Sequence, residues 1–192
     1  MDAPLTIRPA TPADAPRMLE IYAWYVEHTA ITFEYDAPGP GEFAGRVEAT
    51  TRRYPWLTLE EDGTLLGYAY AGPLYRRAAY SWSCEASIYL DRGAHGRGLG
   101  RKLYAALEDE LRRRGMRNLY ACVAVPSDGE DEYLTFASAR FHEKLGFAEA
   151  GRFHRCGYKF GRWYDVAWFE KVIGAHDAPS KTPFERGNDG HE

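Results

Sequence analysis

Apolar and polar residues alternate over Leu5-Thr6-Ile7-Arg8, the two-residue period of a short strand. The period then lengthens. Met18, Leu19, Tyr22, Tyr25 and Val26 recur at helical spacing, behind Thr11 as N-cap, Pro12 at the first helical position and Asp14 at the capping-box place. A helix is therefore predicted up to about His28. Pro38-Gly39-Pro40-Gly41 interrupts the chain, and a second short helix is expected from there to Tyr54. Strands Trp56 to Glu60 and Leu65 to Ala71 flank Asp62-Gly63, a hairpin signal. A further strand, Cys84 to Leu90, runs into the glycine-rich segment Gly93 to Gly100.

The next helix has the plainest pattern. Leu99, Leu103, Leu107 and Leu111 form one stripe, and Glu108/Arg112, Asp109/Arg113 and Glu110/Arg114 are i,i+4 charge pairs on the remaining faces. Gly115 supplies the stop. Leu119 to Val125 is rich in strand formers, and Pro126 to Glu132 is an acidic loop. A helix is expected from Leu134 to Leu145, then strands Ala148 to Phe160 and Asp165 to Val172. Beyond Gly174 the composition turns polar, so residues 175–192 read as a disordered tail behind one domain spanning 1–174. The order of elements predicts an α/β fold with a mixed sheet.

The chain has 192 residues, enough to bury a core without disulfides or metal. A net charge of −4 argues against a general nucleic-acid binder, though a local basic patch for a small anion remains compatible. The N-terminus lacks the pattern of a signal peptide, and no apolar run reaches the length of a membrane helix. Cys84, Cys122 and Cys156 are widely spaced, as expected for buried thiols in a reduced cytoplasm, and no metal site is predicted. The 14 Tyr, 9 Phe and 5 Trp exceed what a core of this size needs, so part of the excess is expected in a pocket or an interface.

Closely spaced glycines between a strand and a helix suit an anion, because backbone N–H groups can approach it and the helix N-terminus is electropositive. Arg92, Arg97, Arg101 and Lys102 add positive charge there. A Walker loop is excluded because Arg101 follows Gly100, and a dinucleotide fingerprint because position 103 is Leu.

Arg97-Gly98-Leu99-Gly100-Arg101 after Ser87-Ile88-Tyr89-Leu90 resembles the coenzyme A pyrophosphate loop of the GNAT acyltransferase superfamily, and Ser138 to Phe147 resembles its second cofactor segment. Ile7-Arg8-Pro9-Ala10, Thr32-Phe33-Glu34, Glu85 to Tyr89 and Gly157 to Val166 further resemble the phosphinothricin N-acetyltransferase family. The resemblance implies a GNAT fold, a mostly antiparallel mixed sheet flanked by helices, acetyl-CoA as co-substrate and transfer of acetyl to the α-amine of a small amino acid. It implies Glu85 as general base and His142 as the proton donor to the departing thiolate, a histidine near its ordinary pKa being suited to that step. Packing of His142 against the sheet is the competing reading, as is plain solvation for Glu85.

For the cofactor the resemblance implies Ile88, Tyr89 and Leu90 on the strand, His95 to Arg101 in the loop (His95, Gly96, Arg97, Gly98, Leu99, Gly100, Arg101), and Thr135 with Ser138. For the amino acid it implies Phe33, Tyr75, Arg77 and Tyr80. The family loop usually begins with Gln or Arg where His95 stands, Asn is usual at Thr135, and the acidic stretch Ser127 to Tyr133 is longer than the norm. A homodimer is expected, its seam drawing on Tyr158, Phe160, Trp163, Tyr164, Trp168 and Phe169. Partners otherwise are a small-molecule amine, with neither nucleic acid nor membrane. Acetylation of another amine, or a non-catalytic coenzyme A-binding module, are the rival functions.

Overall fold

The computed structural model describes residues 4–178 and 182–183; the expected tail lies largely outside them. Seven strands form one sheet: β1 (Leu5–Pro9), β2 (Trp56–Glu61), β3 (Thr64–Pro73), β4 (Ser83–Leu90), β5 (Asn118–Pro126), β6 (Ala148–Lys159) and β7 (Arg162–Val172). Their order is β1-β2-β3-β4-β5-β7-β6, and every neighbouring pair is antiparallel except β4 and β5. Four helices flank it: α1 (Ala15–His28), α2 (Pro40–Thr51), α3 (Leu99–Arg113) and α4 (Ala137–Lys144).

The two faces carry separate cores. The leucine stripe of α3 packs with Leu119, Ala121, Val123 and Val125 of β5 and with Cys84 and Ala86 of β4. On the other face Met18, Tyr22, Tyr25 and Val26 of α1 pack with Phe43 and Val47 of α2, Trp56 and Tyr68. Side chains alternate across a strand. Glu85, Ser87 and Tyr89 of β4 therefore point to the α1/α2 face, and Cys84, Ala86, Ile88 and Leu90 to the α3/α4 face.

Several boundaries differ from expectation. Thr11 and Asp14 form the capping box, but Pro12–Asp14 is a separate 3-10 turn before α1. The second helix stops at Thr51, leaving Tyr54 to be buried. The fourth starts at Ala137 rather than Leu134, because Leu134 is buried in a third small cluster with Ala30, Ala124 and Tyr164. The last two strands meet in a two-residue turn, Phe160-Gly161, with φ of 51° and 76°.

Two buried charges tie elements together. Glu108, placed by its sequence among the solvated charges of α3, is buried and accepts from Lys171 at 2.7 Å and Arg112 at 2.8 Å. Of the other expected pairs Glu110–Arg114 forms at 2.7 Å, whereas Asp109 takes Arg112 and Arg113 takes Glu110. Lys159, also buried, donates to the carbonyls of Val26, Thr29 and Thr32 at 2.7, 2.9 and 2.8 Å. It thereby caps the C-terminal end of α1 and pins the loop that carries Phe33 and Glu34.

Candidate active site

β4 and β5 pair only over Ser83–Glu85 and Asn118–Tyr120. β4 then runs on to Leu90 and β5 to Pro126 with no pairing between them. In an antiparallel ladder alternate residues turn both backbone groups toward the partner strand. Asp91 N–H donates to Leu66 O on the β3 side at 2.7 Å, so Ser87 and Tyr89 also face β3. Ala86, Ile88 and Leu90 turn theirs into the wedge between β4 and β5. A cleft opens there, lined by Ile31, Ser87, Ile88, Tyr89, Cys122 and Ser138, with His142 at its α4 side. The wedge passes through the sheet and joins its two faces.

Past the end of β4, Asp91 takes Arg17 at 2.6 Å and Gly93 N–H at 2.9 Å, fixing the turn Arg92–Ala94. Gly96 and Gly98 follow with φ of 74° and 72°, a left-handed backbone that only glycine adopts at no cost. Gly98 is the N-cap of α3 and offers no side chain to the first-turn N–H groups, which stay open to an anion. Gly100 lies against Phe141 and Leu90, bringing α3 close to α4 and the end of β4.

Not every basic or polar side chain of the loop faces such an anion. Arg97 is paired with Glu61 at 2.5 Å. His95 Nε2 lies 2.8 Å from the Tyr25 hydroxyl, which itself donates to Leu90 O at 2.6 Å. The hydroxyl's own proton being used, His95 must donate. Its side chain is thus tied to α1, and the loop at this point has only backbone to offer. Tyr25 was legible only as part of the apolar stripe of α1. Its hydroxyl locks the open end of β4 to the glycine loop.

Glu85 sits at the β4 end of the wedge, opposite Tyr120 and beside Cys122 and Tyr70. Burial raises its pKa above the ordinary carboxylate range, and among the described residues it has no ion pair. Of the three thiols expected to be buried only Cys84 is; Cys122 and Cys156 are exposed, and the Cys122 thiol is pushed up to about 12, by desolvation first and then by the nearby Glu85 charge. A half-buried carboxylate with no cation beside it is a strong base held in reserve.

His142 differs from the expectation of an ordinary pKa. It is buried among the rings of Tyr104, Phe141, Phe147 and Phe169. Burial lowers its pKa, so the imidazole is neutral near pH 7. Nδ1 donates to Ser138 O at 2.8 Å, which leaves Nε2 to accept from the Tyr104 hydroxyl at 3.4 Å. The ring carries no spare proton, and any it passes to the cleft must arrive through Nε2.

This geometry can hold a phosphate at a helix N-terminus, an extended chain along an open strand edge, and a base across the sheet. Over residues 7–168 the sequence matches the Acetyltransferase (GNAT) domain. The chain belongs to the GNAT acetyltransferases. It is 34% identical over 168 residues to the phosphinothricin N-acetyltransferase of Streptomyces viridochromogenes, covering 88% of this chain and 87% of the relative. It is 34% identical to the L-methionine sulfoximine/L-methionine sulfone acetyltransferase of Salmonella typhimurium, covering 91% and 98%. An acetyltransferase from Salmonella typhimurium solved with its cofactor acetyl-CoA superposes with a TM-score of 0.83 at 34% identity, over 93% of this chain and 99% of that one. A phosphinothricin acetyltransferase from Sinorhizobium meliloti in complex with acetyl-CoA gives 0.81 at 32%, over 91% and 90%.

At the remaining positions this GNAT chain shows how its own sequence differs. Thr135 is exposed, and its Oγ1 accepts from Ala137 N–H at 3.2 Å at the start of α4. Glu130, from the long acidic loop, accepts from Phe136 N–H at 2.9 Å and from Arg140 at 3.0 Å. The acidic loop therefore caps the start of α4. Tyr75, Arg77 and Tyr80 lie exposed in the segment between β3 and β4, past Gly72, the β3 partner of Glu85. The two rings lie 4.9 Å apart, and Arg77 has no ionic partner among the described residues. Phe33 lies away from the cleft lining. It packs on Tyr164 and over Gly157, where a Cβ would fall 2.1 Å from its ring. No metal-binding cluster and no helix long and apolar enough to cross a membrane occur among the described residues.

Proposed function

We propose that this acetyl-CoA-dependent N-acetyltransferase acts on the α-amine of a small amino acid or analogue of the phosphinothricin or methionine sulfoximine type, with Glu85 as general base. The observation that carries this reading is the through-sheet wedge, which sets an open strand edge and an unpaired carboxylate on one path. The relatives named for those two substrates support the substrate class.

The chain's residues fit coenzyme A. The left-handed Gly96 and Gly98 and the uncapped N-terminus of α3 suit the pyrophosphate, with Arg101 beside them. The backbone of Ile88 and Leu90 suits the amide-rich arm and the thioester carbonyl. When bound, acetyl-CoA supplies an activated acyl carbon. Glu85 takes the proton that an ammonium must lose before its nitrogen can attack, directly or through one water. Arg77 with Tyr75 and Tyr80 holds the acceptor's oxyanion. Ser138 O and the Tyr104 hydroxyl hold the neutral His142 ring beside the cleft with its Nδ1 proton and Nε2 lone pair both engaged, so the sulfur departs as a thiolate that takes its proton from solvent.

A release assay for free thiol over α-amino acids, phosphinothricin, methionine sulfoximine and polyamines tests this reading. Acetylation of the amino-acid group and little of the polyamines is the expected result; the reverse preference overturns it.

We also read the β6–β7 hairpin as the seam of a homodimer. β6 is an edge strand exposed through residues 148–156, and Phe153, Tyr158 and Trp163 present large apolar surfaces beside it. Tyr164 and Phe169 instead serve the core, and Phe160 stacks on Tyr133 at 4.2 Å. Light scattering after size exclusion should give twice 21.8 kDa for the wild type and a shift toward monomer for Trp163→Glu. A wild-type monomer at micromolar concentration removes the dimer.

A further inference from the structure

Two glycines stand in β3, and packing explains only one of them. A Cβ on Gly67 would run into the Leu90 side chain and fall 2.8 Å from Tyr89 O, so the close approach of β4 requires glycine there. A Cβ on Gly72 would meet no atom within 4 Å beyond its chain neighbours, and its φ is not left-handed. Neither crowding nor strain calls for glycine at this position, where it weakens the strand. Of the described glycines with such open space around them, Gly72 alone is half-buried and the rest are exposed.

The ladder register places that space beside Glu85. Gly72 is its β3 partner, and partners across an antiparallel pair point to the same face. On the other side Glu85 is in register with Tyr120 of β5. Leu119 and Ala121 belong to the α3-side core, so Tyr120 shares the opposite face with Glu85. The row across the sheet is therefore Gly72, Glu85, Tyr120: a ring stands on one flank of the carboxylate, and on the other there is only backbone. Two residues back along β3, Tyr70 is the partner of Ser87 on the same face, held by stacking on Trp56 at 4.1 Å. The hollow over Gly72 is bounded by Tyr70 at one end. At its other end β3 finishes at Pro73 and runs into the segment that carries Arg77.

We propose that Gly72 sets the size of the acceptor: the α-carbon of the amine and its substituent lie over Gly72, with the nitrogen turned toward Glu85 and the wedge. The assignment rests on Glu85 as the base and on an amine as acceptor. A molecule reaching the carboxylate from the Gly72 flank meets no side chain opposite, and its length runs toward Arg77. A side chain at 72 would occupy that space without touching the protein. It would compete with the acceptor and leave the fold intact.

The test compares Gly72→Ala, Gly72→Ser and Gly72→Val with the wild type, and takes Gly45→Ala, an exposed open glycine of α2, as the control with wild-type activity. The Tm of Gly72→Ala should lie at the wild-type value or up to about 4 °C above it, since its methyl is unopposed and the unfolded chain loses freedom. Its kcat/KM for methionine sulfoximine should nonetheless fall by about 10- to 100-fold, the scale of one misplaced methyl group in a fitted site, and that of Gly72→Val further. The Kd for acetyl-CoA should not move. Free glycine, whose α-carbon carries no substituent, should lose less, read as acceptor or as competitive inhibitor. A folded Gly72→Ala with the wild-type kcat/KM for methionine sulfoximine overturns the assignment. So does an equal loss for free glycine or a weakened Kd for acetyl-CoA, since a distorted strand would then be the cause. Should Gly72→Val fail to fold, Gly72→Ala and Gly72→Ser decide by the same criteria. If the wild type acetylates another primary amine and no α-amino acid, the substrate reading falls while the same variants, compared on that amine and on methylamine, still judge Gly72. Wild-type turnover by Glu85→Gln would remove the base, and the Gly72 variants would judge the hollow on their own.

Discussion

Glu85→Gln is expected to lower kcat by roughly a hundred- to ten-thousand-fold, the range usual for losing a general base, while the Kd for acetyl-CoA stays at its wild-type value. The two measurements separate because Glu85 points to the α1/α2 face, whereas the glycine loop and the start of α3 lie past the other end of β4. The pH profile gives a second readout. Burial raises the folded-state pKa of Glu85, so the protonated, inactive form persists to higher pH than for an ordinary carboxylate. kcat/KM should therefore rise with pH through a midpoint above about 4.3, the unperturbed glutamate value, and this acid limb should vanish in the variant. Turnover of Glu85→Gln near the wild-type rate at pH 7 would assign the base elsewhere.

Lys159→Met is expected to be the most destabilising single change outside the apolar cores. Methionine fills similar space but leaves the carbonyls of Val26, Thr29 and Thr32 without their donor. Each unsatisfied buried acceptor costs about 1–3 kcal/mol, and partial rearrangement of the loop brings the sum to about 2–4 kcal/mol. For a domain of this size that corresponds to a fall in Tm of about 5–15 °C. The loss of activity should exceed what the unfolded fraction explains, since the same three carbonyls hold the loop that places Ile31 in the cleft wall. A calorimetric Tm within about 2 °C of wild type would mean that water or another donor replaces the ammonium.

Much of the architecture was legible because it depends on local pattern. The leucine stripe of α3, the Asp62-Gly63 hairpin and the glycines at 96 and 98 each require only their own neighbours in the chain. The start of α4 was not, because Leu134 is drawn into a cluster with residues from distant strands and Glu130 supplies the cap from outside the helix. The Phe160-Gly161 turn was missed for a similar reason. Phenylalanine disfavours positive φ, and here stacking on Tyr133 and the pinned Lys159 hold it there. Asp109 faces Arg112 rather than Arg113 because several rotamers satisfy one exposed carboxylate at nearly equal energy.

In the candidate site the division falls along the same line. Motif resemblance singled out Glu85, His142 and the glycine loop; the fold puts Glu85 where β4 and β5 part, His142 beside the cleft and the glycine loop past the end of β4. The electrostatic character of each came from elsewhere in the chain. His142 is held neutral by burial among rings from α3, α4, the segment after α4 and β7, and His95 is taken up by a tyrosine seventy positions away.

By itself the sequence determined the succession of strands and helices, the sheet-and-helix class and the left-handed glycine turn ahead of α3, since periodicity and glycine chemistry act over a few residues. Only the tertiary structure decided where β4 and β5 part, which charges are buried, and which protons His142 and His95 still hold. Those depend on burial and hydrogen bonding between segments far apart in the chain, and no local pattern encodes either.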